Sequence, residues 1–378
     1  MQKKHIAIFG VKYFPSRGGT SRVVENLLEH LTEHFDFTIY CYKHPEAATH
    51  MKGVNVVEFS EINIKGIGVF MYYFKCCMHL LFKGKYDLVH IHKTDAAFFI
   101  PFISKKAPCI TTSHALPYMN DKWSKLGKTY FHMVERIYMN ADTIQTSIAK
   151  PQADYYEEKY GKPVMYIPNG VEPGPSFDSS EADELLAKHQ VEGEYLLFAA
   201  RRIIPLKGLH HLIKALNQMK FTGTLVVAGE DDQLPEYTKE LKESGKDLKI
   251  KFVGYVGSRT LLSALVSKAK LFIFPSEIEG MSMMLLEVGS LGTPMVCSDI
   301  PQNKAVLTGE EVLYFRSQDA DDLEEKLDFA FANPSEMEEK AEKTMEKVAS
   351  EYAVSKVVQQ YVDLYNQNLY PSRQYAKA

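Results

Sequence analysis

The chain has 378 residues, 45% of them apolar and 24% charged, with a formal net charge of -4. That balance suits a soluble globular protein long enough for two cores, and it supplies no global basic field of the kind that drives nucleic-acid binding. The five cysteines are odd in number and show no paired metal spacing, so they read as reduced residues of a cytosolic protein.

The start "MQKKHIAIFGVKYFPSRGG" has an apolar run of only about six residues before a Gly/Pro loop, too short for a secretory leader. It reads as a first strand. In the following "GVKYFPSRGGTSRVVENLL", Gly18 and Gly19 stand just before a helix but outside the G-x-G-x-x-G pattern of a dinucleotide site. Paired glycines there either allow close approach to an anion such as a diphosphate or simply make a tight turn. Val23, Val24, Leu27, Leu28 and Leu31 then share one helix face that covers a sheet.

Through the first half, "HIAIFG", "FTIYCYK", "VNVVEFS", "YDLVHIH", "PCITTSH", "ADTIQTS" and "VMYIPNG" alternate with helix-period segments. That is a βα pattern with a mostly parallel sheet. Residues 66 to 84, "GIGVFMYYFKCCMHLLFKG", are interrupted by Lys75 and His79 and fall short of the roughly 20 apolar residues that span a bilayer. The segment is either a packed helix, with Cys76 and Cys77 as core residues, or a helix lying on a membrane surface. His90, His92 and His114 end strands without zinc-protease spacing, so a metal cluster is not expected; His114 points toward the ligand side.

The Pro-, Gly-, Ser- and acid-rich "PNGVEPGPSFDSSEAD" marks a boundary near residues 170 to 185, after which "YLLFAAR", "GTLVVAG", "IKFVGYV", "AKLFIFPS", "PMVCSD" and "VLYFR" repeat the alternation. In doubly wound sheets ligands sit past the carboxyl ends of the strands. There "RRIIPLKGLHHLI" sets Arg202 and Lys207 on either side of a turn; they are either solvated cations or a pair that neutralises a leaving diphosphate without a metal. Arg201 ranks behind Arg202.

The strand "KLFIFP" runs into "SEIEG" and a helix that begins near Met281 or Ser282, a candidate N-cap. Glu279 and Glu287 are eight residues apart, about 12 Å if wholly helical, and so reach different parts of one extended ligand. Glu287 either meets that ligand or forms a buried salt bridge; Glu277 reads as a loop charge. "DAD" at Asp319 to Asp321 caps a helix rather than holding an ion. From about Asp319 onward the chain is helical, with Val357, Tyr361 and Tyr365 repeating at packing intervals.

These motifs resemble glycosyltransferase family 4, retaining enzymes of the GT-B fold, over nearly the whole chain. "EGMSMMLLE" at 279 to 287 is similar to the family's paired-glutamate pattern, "GTPMV" to its follow-on, and "RRIIPLKG" to its Arg/Lys stretch; "TTSHA" and "IPNGVE" match two further motifs. The resemblance implies an α/β chain of two Rossmann-like domains facing across a cleft. An acceptor domain would cover 1–172, a linker 173–184, a nucleotide-sugar domain 185–352, and a helix at 353–378 would cross back onto the first domain.

By the same resemblance, Glu279 and the amides of Gly280, Met281 and Ser282 hold the donor sugar, and Glu287 the ribose. Arg202 and Lys207 take the diphosphate, Gly19 with Gly18 approaches it from the other domain, His114 contacts the sugar, and Tyr255 and Val256 face the base. Ala115, Ala200 and Ser282 depart from the family's glycines. No metal or other cofactor is expected. The expected partners are a nucleotide-sugar donor, UDP-sugar favoured, and a glycan or lipid-linked acceptor in cell-surface polysaccharide synthesis, with no nucleic acid. Aromatic and basic residues in 66–84, with Lys122, Lys125, Lys128, His132 and Arg136, fit either solvated helix faces or the inner face of the cytoplasmic membrane. A sugar-nucleotide epimerase and a non-catalytic carbohydrate-binding subunit are the alternatives.

Overall fold

The computed structural model describes residues 3–16, 19–64, 67–116, 118, 124–174 and 177–370. The chain forms two compact units: one runs to Gly170 and resumes at Val354, and the other is Val171–Ala353.

In the first unit the β-branched and aromatic runs become β1 His5–Phe9, β2 Asp36–Tyr42, β3 Val54–Phe59, β4 Leu88–His92, β5 Cys109–Ser113, β6 Ile144–Ser147 and β7 Met165–Tyr166. Each pairs parallel to its neighbours in the order β3-β2-β1-β4-β5-β6-β7. The central strands are buried along their length, as a parallel sheet covered on both faces requires. In the helix Thr20–Leu31 the five expected apolar residues are all buried, which fixes its inner face.

The second unit repeats the plan with β8 Tyr195–Arg202, β9 Thr224–Glu230, β10 Lys249–Gly254, β11 Leu271–Phe274, β12 Met295–Ser298 and β13 Leu313–Phe315. These are parallel in the order β10-β9-β8-β11-β12-β13. In both sheets the order reverses beside the first strand, between β1 and β4 and between β8 and β11. A ligand crevice belongs beyond the carboxyl ends at such a reversal.

The stretch 173–184, expected as a linker, is instead part of the second unit, and the helix Ser180–Lys188 opens inside it. Its composition looked like a linker because the turn before a helix uses the same small and acidic residues. The last helix, Val354–Leu369, belongs to the first unit. Val357, Tyr361 and Tyr365 are at most 1% exposed, and the Tyr365 hydroxyl sits 2.7 Å from His90 Nδ1. Burying each such side chain contributes about 1.5–3 kcal/mol, which is what brings the chain back to the N-terminal sheet.

All five cysteines are free and buried. The helix Gly68–Phe82 buries Tyr72, Tyr73, Cys76, Cys77 and Leu80, while Met71, Phe74, Met78 and Phe82 lie exposed. It is therefore apolar on both sides. Among the described residues no helix is long and apolar enough to cross a membrane.

Candidate active site

The site of the second unit is built from the loops after β8 and β11. β8 ends at Arg202, and a 3-10 turn, Pro205–Lys207, leads through Gly208 into the helix Leu209–Gln218. Gly208 has φ of 72°, and a Cβ there would lie 1.9 Å from the carbonyl oxygen of Pro275. Only glycine combines that conformation with so close an approach, so this residue lets the Lys207 loop press against the start of the β11 loop.

From the β11 side, the Glu277 amide donates to the Leu206 carbonyl at 2.9 Å. Two residues on, Glu279 Oε1 lies 2.6 Å from Lys207 Nζ, with the side chains 12% and 27% exposed. The sequence-predicted cation and carboxylate are thus brought together. Arg201 turns toward Glu230, Nε to Oε1 3.8 Å, whereas Arg202 is exposed and has no carboxylate in ion-pair range among the described residues. Partial desolvation, then the Arg201 cation, lower the Arg202 pKa, and Glu230 opposes them. A guanidinium stays charged through such a shift.

Ser282 is the N-cap of the helix Met283–Ser290, its hydroxyl accepting from the Leu285 amide at 3.4 Å. Glu279 and Gly280 therefore precede the helix, and the spacing argument for a helical rise applies only to its second half. Met281 is buried beneath the loop, and Glu287 is half-buried on the helix. Tyr255 and Val256 follow β10 at the same carboxyl edge, with Tyr255 exposed. Asp319 does cap its helix, accepting from the amides of Asp321 and Asp322 at 3.1 and 3.0 Å.

Glu277 corrects the sequence reading. It is not a loose loop charge: its Oε1 lies 3.0 Å from His211 Nε2 and 3.6 Å from His210 Nε2, and its Oε2 accepts from Gln318 Nε2 at 3.0 Å. Burial, then the neighbouring His211, lower the His210 pKa, while Glu277 opposes them. No local pattern could have named these partners, which lie 66 and 41 residues away.

In the first unit Gly19 precedes the helix Thr20–Leu31 with φ of 58° and open space where a Cβ would be. Gly18 and Lys122 lie outside the described residues. His114 follows β5, with Nε2 3.0 Å from His92 Nδ1, and its Nδ1 is enclosed without a hydrogen-bond partner among the described residues. His90 lies beside His92 with ring centroids 3.9 Å apart and the planes tilted by 35°. Burial holds His90 and His114 well below the usual imidazole range and His92 at about 3; His92 also lowers the other two. Burial therefore keeps the His114 ring uncharged at neutral pH.

This trio should make the fold acid-sensitive. The unfolded histidines protonate near pH 6.5, before the folded ones, so stability is full above that value and falls as the pH drops toward the folded values. The expected slope is about 1.4 kcal/mol per pH unit for each histidine. Melting temperatures taken between about pH 7 and about pH 5 should fall less steeply in His92→Asn than in the parent; equal slopes would remove the trio as the cause.

Two family models match the chain: "Glycosyltransferase Family 4" over residues 17–174 and "Glycosyl transferases group 1" over residues 181–348. The phosphatidyl-myo-inositol mannosyltransferase of Mycolicibacterium smegmatis is 26% identical over 60% of this chain and 56% of its own length. The N,N'-diacetylbacillosaminyl-diphospho-undecaprenol alpha-1,3-N-acetylgalactosaminyltransferase of Campylobacter jejuni is 24% identical over 51% of this chain and 50% of its own. The chain thus spans about half the length of the curated relatives it matches. Among solved structures, sucrose-phosphate synthase of Thermosynechococcus elongatus superposes with TM-score 0.82 at 20% identity, over 98% of this chain and 100% of the other. HepE of Anabaena, solved with UDP-glucose, superposes with TM-score 0.78 at 15% identity, over 97% and 100%. These superpositions identify the fold as GT-B.

Proposed function

The chain belongs to the GT-B glycosyltransferases of the group 1 and family 4 type, and from that premise we propose that it is a retaining, metal-independent transferase. It takes a sugar from a nucleotide-diphosphate sugar, UDP-sugar favoured, and delivers it to a hydroxyl of a lipid-linked glycan. The observation that carries the reading is the Lys207–Glu279 pair at 2.6 Å, beside the strand-order reversal of a doubly wound sheet. A cation and a carboxylate at that point are the groups a diphosphate and a sugar hydroxyl would each need.

Arg202 and Lys207 take the charge that develops on the leaving diphosphate, the role a divalent ion fills in other transferases. Glu279 exchanges its lysine for a donor-sugar hydroxyl, Glu287 binds the ribose, and the amides from Gly280 to Ser282 close on the sugar. Gly19 and Gly18 serve the diphosphate, His114 the sugar and Tyr255 with Val256 the base. The acceptor oxygen bonds to the anomeric carbon on the face the phosphate leaves, the carbon–oxygen bond to phosphate breaks, and the acceptor proton passes to the departing phosphate oxygen.

Two relatives are named for phosphatidyl-inositol and diphospho-undecaprenol substrates, which supports a lipid-linked acceptor. The exposed stripe Ile64, Ile67, Met71, Phe74, Met78 and Phe82, with exposed Lys83 and Lys85 at its end, has the chemistry to lie on an anionic membrane face of the cytoplasm. One experiment tests both halves: UDP-, GDP- and ADP-sugars are screened for thermal stabilisation, and the stabilising donor is then assayed with a polyprenyl-diphosphate acceptor in anionic vesicles. One UDP-sugar should stabilise the parent, and Glu287→Ala should weaken that donor about 10–100-fold, the worth of a charged hydrogen bond. Nucleotide release should require acceptor and survive a chelator, and the product should keep the donor's anomeric configuration. Stabilisation by no nucleotide sugar, or release without acceptor at the same rate, would sink the transferase reading; indifference to anionic lipid would sink the membrane half.

A further inference from the structure

The cluster around Glu277 lies beside the proposed transfer chemistry but has no part in it. His210 and His211 open the helix Leu209–Gln218 after the Lys207 turn, and Glu277 comes from the β11 loop. Both imidazoles present Nε2 to the same carboxylate oxygen, at 3.6 and 3.0 Å. One hydrogen bond would use one imidazole; the second, at 3.6 Å, is beyond hydrogen-bond length. Ligands bound to a tetrahedral ion at zinc–nitrogen and zinc–oxygen distances stand about 3.3 Å apart, and the two observed separations bracket that value. All three donor atoms lie within 4.8 Å of one another.

The surroundings of the cluster match those of a metal site. His210 Nδ1 lies 2.9 Å from the Tyr237 hydroxyl, a contact that fixes the ring and, with Nδ1 as donor, leaves the Nε2 lone pair facing Glu277. The outer carboxylate oxygen accepts from Gln318 at 3.0 Å. Glu277 and His211 are 14% and 15% exposed, while His210 and Tyr237 also line a cavity of about 390 Å³ shared with Lys214 and Glu240. His210, its side chain 37% exposed, would give an ion an entry route.

We propose that His210, His211 and Glu277 form a binding site for a divalent transition-metal ion of the zinc class, bridging the helix after Lys207 and the loop that carries Glu279. Two imidazoles and one carboxylate suit zinc or cobalt over magnesium or calcium, which prefer all-oxygen sites. The five cysteines are all buried and are poor competitors. The ion is not required for the transfer chemistry, because without it Glu277 still meets His211 and Gln318 and its amide still holds Leu206. Metal-stripped protein therefore keeps its transfer activity.

The test uses the full chain, stripped with a chelator, dialysed and titrated calorimetrically with Zn²⁺ in the absence of donor and acceptor. It thus stands or falls independently of the transferase reading. One ion per chain is expected. Binding should weaken more than tenfold in His210→Ala and Glu277→Gln, and about tenfold in Tyr237→Phe, which removes only the outer hydroxyl. Tyr237→Phe keeps the ring and guards against a variant that misfolds, and circular dichroism checks all three. Co²⁺ should give a visible ligand-field spectrum without a thiolate charge-transfer band. Equal Zn²⁺ affinity in parent and folded variants, or a thiolate band, would overturn the site.

Discussion

Lys207→Ala should lower turnover about 10²–10³-fold, the loss that follows removal of one group stabilising a developing oxyanion. The pair is part-buried, with side chains 27% and 12% exposed, so the change also costs stability, and rates are compared at a temperature where both proteins are folded. Turnover should move because, on the proposed mechanism, the ammonium holds the charge that appears as the bond to phosphate breaks. The same change leaves Glu279, 12% exposed, without its lysine. Lys207→Arg restores the charge but not the point geometry and should recover only part of the rate. Arg202→Ala should lose a similar factor, and the double variant less than the product, since on the proposed mechanism both cations act on one leaving group. Initial rates of acceptor-dependent nucleotide release at saturating donor provide the measurement. A loss smaller than about threefold in both single variants would refute electrostatic stabilisation by these cations, given the size such groups have elsewhere.

How much of this was legible in the sequence depends on the range of the interaction. All thirteen strand segments contain strands because each strand's identity is local: a buried parallel strand must be a continuous β-branched or aromatic run. Segment ends were less legible. "VMYIPNG" forms only the two residues Met165–Tyr166 as strand, since Pro168 cannot donate to a ladder. Ser282 as an N-cap and Asp319 as a cap were readable because their hydrogen bonds close within three residues. Lys207 and Glu279 were found separately, as a turn cation and a loop acid, while their contact spans 72 residues. Glu277 was misread for the same reason. Two adjacent histidines in a first helical turn look like any solvated pair until tertiary packing sets a carboxylate against them.

Gly208→Ala should be the most damaging single-methyl change in the second unit. At φ of 72° an L side chain meets its own backbone, at a cost of about 1–2 kcal/mol. The added Cβ would also sit 1.9 Å from the Pro275 oxygen and 2.8 Å from its carbonyl carbon. These are backbone atoms with no rotamer to yield, so the overpacking adds about 1–3 kcal/mol. Gly193 separates the two costs, because its φ is 71° and nothing lies within 4 Å of its would-be Cβ. Gly193→Ala therefore has the strain without the clash. Urea unfolding should put Gly208→Ala below Gly193→Ala by about 1–3 kcal/mol. The clash can be relieved only by moving the Lys207 turn away from Pro275, which stretches the Glu277 amide bond to Leu206 and the 2.6 Å pair between Lys207 and Glu279. A displacement of about 1 Å at a reacting centre costs on the order of 10²-fold in rate, so turnover should fall in Gly208→Ala and hold in Gly193→Ala. If both variants unfold together and turn over alike, the close approach of these two loops does not position the site.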